Sequence, residues 1–267
     1  MIGEEDKIPF TSHLEELRER LVKAFIAIAV GFCIAYAFKE KLFDFLVDPL
    51  IKAMGKDKAV LIFTSIPEAF FTYMKVAFIG GLMLAVPVIL YQFWMFLAPG
   101  LYPKERKFIG PVIFVSTFFF VGGALFGYYF AFPVGFQFLL EYATGNIKAM
   151  PSMGEYMGFA STLLLAFGIV FELPLVIIAL AKFGIVSVSF LRKYRKYAIV
   201  AFFIIAAILT PSPDAVTQCI MAVPLCVLYE LSIFGAIFVS KKKEEAITEE
   251  PSEENKSDGI PTEADTD

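Results

Sequence analysis

Two carboxylates stand where a carboxylate is expensive. Glu172 lies within Phe171-Glu172-Leu173-Pro174, deep in an apolar run, and Glu230 lies inside another run further along the chain. At membrane depth an ionisable group costs roughly 2.5–3.5 kcal/mol on insertion scales, so it faces protein or a wet cavity and marks a function by default. The bland alternative for either is a protonated acid hydrogen-bonded to a neighbouring helix. Gln218, near the start of the run that holds Glu230, is a third polar group of this kind. A different pattern opens the chain, Ser12-His13-Leu14-Glu15-Glu16-Leu17-Arg18-Glu19-Arg20. Ser12 with Glu15 reads as a capping box. Glu16 can pair with Arg20 one turn on, worth about 0.2–0.5 kcal/mol. Glu105 stands among Lys104, Arg106 and Lys107, where its local reading is a surface ion pair of little value.

Other chemistry is excluded. His13 is the only histidine, so a His₃ metal site cannot form. Cys33, Cys219 and Cys226 sit in apolar runs with no C-x-x-C spacing, and read as small core or lipid-facing residues. No G-x-S-x-G, H-E-x-x-H, P-loop or dinucleotide fingerprint occurs, so no catalytic residue, metal or cofactor is expected. Bases follow the ends of apolar runs rather than alternating with aromatics, which gives nucleic-acid binding no support.

The elements that position these groups follow from composition. Of 267 residues, 58% are hydrophobic, 19% are charged and 31 are Phe; mean hydropathy is +0.71. A soluble domain has ~25% charged residues, and its single core stops growing near ~250–300 residues. The composition is that of a polytopic membrane protein. Residues 244–267 differ: ten acids against Lys256 alone, with prolines and no aromatic, read as a disordered acidic tail. The 22 bases and 17 acids before it make the body, residues 1–243, net basic.

A spanning helix needs roughly 20 apolar residues. Candidates are Val22 to Phe38, Phe70 to Leu97, Phe108 to Leu140, Met157 to Ala181, Tyr197 to Leu209 and Ala215 to Val239. The fifth has 13 residues and reaches only about 20 Å. It reads as a short span that thins the bilayer. Lys7, Arg18, Arg20 and Lys23 precede the first span, and Lys104, Arg106 and Lys107 follow the second. Lys182, Arg192, Lys193, Arg195 and Lys196 lie between the fourth and fifth, and Lys241, Lys242 and Lys243 follow the sixth. The positive-inside rule then puts both termini in the cytoplasm, although the first-to-second loop carries five lysines against the trend. The expected fold is an all-α integral membrane protein of six transmembrane helices. Pro87, Pro111, Pro133, Pro174 and Pro224 fall within spans and predict bent helices.

Four motifs in register carry a resemblance: His13-Leu14-Glu15-Glu16-Leu17-Arg18, Phe96-Leu97-Ala98-Pro99-Gly100-Leu101-Tyr102-Pro103-Lys104-Glu105-Arg106, Phe171-Glu172-Leu173-Pro174 and Leu209-Thr210-Pro211. Over about residues 8–240 the chain resembles the TatC family, the multispanning subunits of the twin-arginine protein translocase. The resemblance implies a non-enzymatic receptor in the bacterial inner membrane, with short fifth and sixth helices. Such a receptor binds the twin-arginine signal peptides of folded cargo, works with TatA- and TatB-type single-span partners, self-associates among membrane lipid, and uses the proton-motive force. The family's signal-binding acids match Glu16 and Glu105, with Arg18 and Arg106 in the same motifs. Its intramembrane glutamate matches Glu172, its structural prolines match Pro49 and Pro99, and its polar residues near the last loop match Asp214 and Gln218. Thr210-Pro211-Ser212-Pro213-Asp214 is one residue longer than the family's usual T-P-P-D, which affects the placement of Asp214. The rival is a proton-coupled secondary transporter using Glu172 and Glu230 as a relay, which would want binding groups on paired broken helices at the midplane.

Overall fold

The structure, a computed structural model, describes residues 10–55, 60–97, 109–141, 149–182, 184–209 and 215–248. Helix α1, Phe10–Ala37, leads through a turn at Phe38 into α2, Lys39–Met54. Ser12 lies inside α1, so the expected capping box does not start this helix. Between the first two spans, α2 is amphipathic. Leu46, Val47, Pro49 and Leu50 are buried, while Lys52 and Asp48 pair outside at 2.5 Å. The helix stops at Gly55, whose φ of 85° is left-handed and costs glycine least.

Helix α3, Glu68–Leu97, packs antiparallel along α1. Their backbones touch at Gly31 and Gly81: a Cβ on Gly31 would stand 2.4 Å from the Gly81 carbonyl oxygen. Without water to drive apolar faces together, membrane helices gain by such close approach at small residues.

The third apolar stretch runs through α4, Ile109–Phe126, a π-helical turn at Gly127–Ala131, and α5, Phe132–Leu140. Pro133 cannot donate to the carbonyl four residues back, and the helix widens just there, with the Phe132 N–H reaching Gly127. The fourth stretch is α6, Met153–Phe171, and α7, Leu173–Lys182, broken at Glu172 two residues before Pro174. Helix α8, Val188–Leu209, has 22 residues rather than the 13 of its apolar part, because its first turns carry Arg192, Lys193, Arg195 and Lys196. It lies against α9, Ala215–Thr248.

Among the described residues, five stretches are long and apolar enough to cross a membrane: Leu14–Ala37, Glu68–Leu97, Gly110–Leu140, Met153–Lys182 and Gln218–Val239. Helix α8 falls outside that set through its charged half. Large apolar side chains such as Phe25, Phe114, Phe118 and Ile208 point outward. In water that would be an aggregation liability; in lipid it is the solvent-facing surface. One buried cluster joins α2, α3, α5, α6 and α9, and a second fills the space between α7, α8 and α9.

Candidate functional site

Pro49 has a defined task. Lacking an N–H, it leaves the Phe45 carbonyl without its helical donor. The Tyr128 hydroxyl, from the π-helical turn, donates to that carbonyl at 2.6 Å, and the Tyr128 ring stacks on Phe45 with centroids 4.3 Å apart. Tyr156 of α6 donates to the next carbonyl, that of Leu46, also at 2.6 Å. Two hydroxyls from distant helices thus hold α2 across one end of the bundle.

A second fastening lies at the same end. Glu68, at the start of α3, accepts the Thr64 N–H, the Thr64 hydroxyl and the Ser65 N–H on Oε2. Its Oε1 accepts the Ser152 hydroxyl at 2.5 Å and the Gly154 N–H at 2.8 Å. Ile62 pairs with Ser152 in an isolated parallel bridge beside it. One carboxylate therefore ties the segment before α3 to the segment before α6. Neither Glu68 nor the tyrosines stood out in the sequence, since their partners lie more than eighty residues away.

At the opposite end, Glu16 and Arg20 form the expected pair, with Nη2 to Oε1 at 2.5 Å and both side chains partly covered. Arg18 is exposed on the same helix. The Gly31–Gly81 contact packs α1 against α3, whose helix ends at Leu97. The chain then enters the segment that holds Pro99, Glu105 and Arg106. Those three residues, and Asp214, lie outside the described residues.

Glu172 sits at the α6–α7 break. Its backbone N–H turns back to the Ile169 carbonyl at 3.1 Å, and its carbonyl accepts the Val176 N–H at 3.0 Å. Its Oε1 is buried and has no hydrogen-bond partner among the described residues. In α4, the buried Ser116 hydroxyl accepts the indole N–H of Trp94 of α3 at 2.8 Å. Neither Ser116 nor Trp94 was singled out from sequence. The signal that could have found them was a lone Trp and a serine within otherwise apolar runs.

Glu230 belongs elsewhere. It pairs with Arg195 of α8 at 2.5 Å, and the two side chains are 41% and 53% exposed. Gln218 donates to the Phe203 carbonyl of α8 at 2.9 Å. Glu230 is thus engaged by Arg195 of α8 rather than by Glu172, the reverse of what a two-carboxylate relay needs. Among the described residues no cluster of His, Cys, Asp and Glu could hold a metal ion.

Comparison with known proteins agrees with this architecture. Residues 12–224 match the family Sec-independent protein translocase protein (TatC). A protein of that name from Desulforapulum autotrophicum is 59% identical over 244 residues, covering 91% of this chain and 90% of the relative. The Magnetococcus marinus protein of that name is 47% identical, covering 90% and 88%. A solved structure described as the twin arginine translocase receptor TatC superposes with a TM-score of 0.77 at 39% identity, covering 85% of this chain and 99% of the other. A second, in DDM, gives 0.75 at 41% identity, covering 83% and 98%.

Proposed function

The chain belongs to the TatC family of Sec-independent protein translocases, a membrane-embedded transport subunit rather than an enzyme, and from that premise we propose that it is the receptor and core subunit of a twin-arginine translocase. It binds twin-arginine signal peptides of folded cargo at the cytoplasmic face, with Glu16 and Glu105 as the two acids and Arg18 and Arg106 beside them. TatA- and TatB-type subunits complete the transport unit, which the proton-motive force drives. Residues 1–243 are the translocase domain of six spans, with both termini in the cytoplasm of a bacterial inner membrane. Residues 244–267 are its acidic tail. Glu172, Asp214 and Gln218 are its intramembrane polar groups.

One observation supports this reading: the family match runs over residues 12–224 and so takes in both the Glu16 and the Glu105 motif. Adjacent arginines present two planar guanidinium forks, each matched by a carboxylate in bidentate fashion. Two acids on a surface rich in Lys and Arg form a local attraction, while the surrounding bases repel other cations. The pair of Glu16 with Arg20 supports the reading too, because a partly covered acid already aligned by one guanidinium is preorganised for another. The rival relay loses its second member to Arg195.

The test is a mutant cycle on binding. Glu16→Ala and Glu105→Ala should each weaken a twin-arginine signal by roughly 1.5–3 kcal/mol, the range for hydrogen bonds to charged groups. A twin-lysine signal should lose less. Equal penalties on both signals would reduce these acids to general attraction. Topology is checked separately, with Cys33, Cys219 and Cys226 replaced. A cysteine at Asn146 or Ser212 should react only from outside the cytoplasm, and one at Lys104 or Lys193 only from inside. Labelling of position 104 from outside overturns the six-span arrangement.

A further inference from the structure

Helices α1 and α4 both pack along α3 and leave a gap between them, closed at one end by α2. The gap is a cavity of about 560 Å³, within the ~300–1,000 Å³ of ligand sites. Its walls are apolar. Val76 and Ala124 at the bottom are buried, whereas Ile34, Leu84 and Leu125 at the mouth are half-exposed. The one hydroxyl in the lining, that of Tyr128, is already donated to the Phe45 carbonyl. Water needs two to four polar partners and finds none here. An empty cavity would forfeit dispersion contacts along every wall. The mouth lies between stretches that cross the membrane, Leu14–Ala37 and Gly110–Leu140, so the medium outside it is lipid. A spanning helix, about 10 Å across, exceeds the cavity's volume within two turns. An acyl chain fits.

The charges at the closed end select the lipid. The connection between the first two spans carries five lysines against the positive-inside trend, and the transport role leaves them unused. Two of them, Lys39 and Lys41, stand where α1 passes into α2. Lys39 precedes Leu42 by three residues and Lys41 precedes Phe45 by four, so each lies one turn from a residue that lines the cavity. Glu40 and Asp44 are each two residues from Leu42, about 160° round the helix. The Lys41 Nζ lies 6.0 Å from the centre of the Phe38 ring, another lining residue, and the Lys39 Nζ lies 4.2 Å from that of Tyr36. Lys52 is paired with Asp48, whereas Lys39 and Lys41 have no ion pair among the described residues. An apolar slot therefore ends beside two unpaired cations.

We propose that this cavity binds one anionic phospholipid, with an acyl chain between α1, α3 and α4 and the phosphate held by Lys39 and Lys41 at the α1–α2 turn. Each lysine near an anionic lipid surface strengthens binding about fivefold. The bound chain completes the packing of three helices that otherwise share an open slot, and the headgroup gives the surplus lysines a use. Only the statement that they are surplus rests on the six-span topology; the cavity and its basic rim stand without it.

The experiment uses the full chain in phosphatidylcholine nanodiscs containing a trace of phosphatidylglycerol with a photoreactive acyl chain, and reads the labelled residues by mass spectrometry. Ile34, Leu84 and Leu125 should be labelled well above Phe78 and Tyr129, which are exposed on α3 and α4 outside the cavity. Replacing Lys39 and Lys41 together by Gln should lower the cavity labelling about twenty-fivefold, fivefold per lysine, and leave Phe78 and Tyr129 unchanged. A phosphatidylcholine probe with the same chain should label the wild-type cavity as weakly as the phosphatidylglycerol probe labels that variant. Ala124→Leu, which fills the bottom, should abolish the cavity labelling with both lysines in place; Leu84→Trp at the half-exposed mouth serves if that variant does not fold. Cavity labelling no higher than that of Phe78 and Tyr129 overturns the proposal. So does labelling indifferent to the lysines or to the headgroup, and so does displacement of the probe by free glycerol phosphate, which has no chain. A crosslink from Leu84 to the helix of an added single-span subunit, with the lipid label lost, would give the cavity to protein and overturn it too. Cysteine accessibility reads the topology separately, so a failed six-span arrangement with intact lipid labelling would strike only the surplus of lysines.

Discussion

Glu68 and Glu172 are both carboxylates at helix junctions, and the fold treats them in opposite ways. Glu68 takes five donors on two oxygens and joins two connecting segments at one end of the bundle. Glu172 has one buried oxygen with no hydrogen-bond partner among the described residues. A fully satisfied carboxylate rigidifies what it binds, and removing it leaves its donors stranded. An incompletely satisfied one contributes little to folding and keeps its capacity for another molecule. The same side chain is fully matched in one place and left with an unmatched oxygen in the other.

The widest split between the two should appear with Glu172→Leu. Transport should fall roughly a hundredfold, the upper range for one hydrogen bond to a charged group. The thermal midpoint should hold or rise, because a buried unpaired acceptor has been replaced by an apolar group. A midpoint that falls with transport would make Glu172 structural and break the comparison. Glu172→Gln should keep much of the activity, since hydrogen bonding rather than charge is what the site requires; equal loss with Gln and Ala would favour a proton-carrying role instead. Next in size is Glu68→Ala, which removes the shared acceptor of the Thr64, Ser65 and Gly154 N–H groups and should lower the thermal midpoint. Its transport defect should track unfolding and vanish at lower temperature.

Tyr128→Phe sharpens the structural side, at about 1 kcal/mol for one hydrogen bond. In a Pro49→Ala background the new N–H supplies the Phe45 carbonyl, so the same substitution should cost markedly less; an unchanged cost would show that Pro49 does not create the need for Tyr128. The smallest effect is expected at Arg195→Ala. Half-exposed pairs of this kind are worth about 0–1 kcal/mol, and a large transport loss there would return Glu230 to consideration as a working group.

Much of the architecture was legible in the chain. Glu16 with Arg20 was readable because a helix brings residues four apart together whatever surrounds them. The bend at Pro133 and the break before Pro174 were readable because a missing N–H is a local fact. Helix α2 was passed over as part of a charged connection, although Leu42, Leu46, Val47, Leu50 and Met54 repeat at helical spacing. Lysines and acids on its outer face masked that stripe.

The sequence by itself determined that this chain lives in a membrane, where its apolar stretches lie and where its helices bend, since bilayer thickness and the chemistry of proline act on contiguous residues. Only the tertiary structure decided which polar groups are matched. Tyr156 meets Leu46 across 110 positions, Glu68 meets Gly154 across 86, and Trp94 meets Ser116 across 22. A hydrogen bond forms only within about 3 Å and a narrow angle. Whether two residues so far apart satisfy that condition is set by how the helices pack, as is the fact that Glu172 is left with an oxygen to spare.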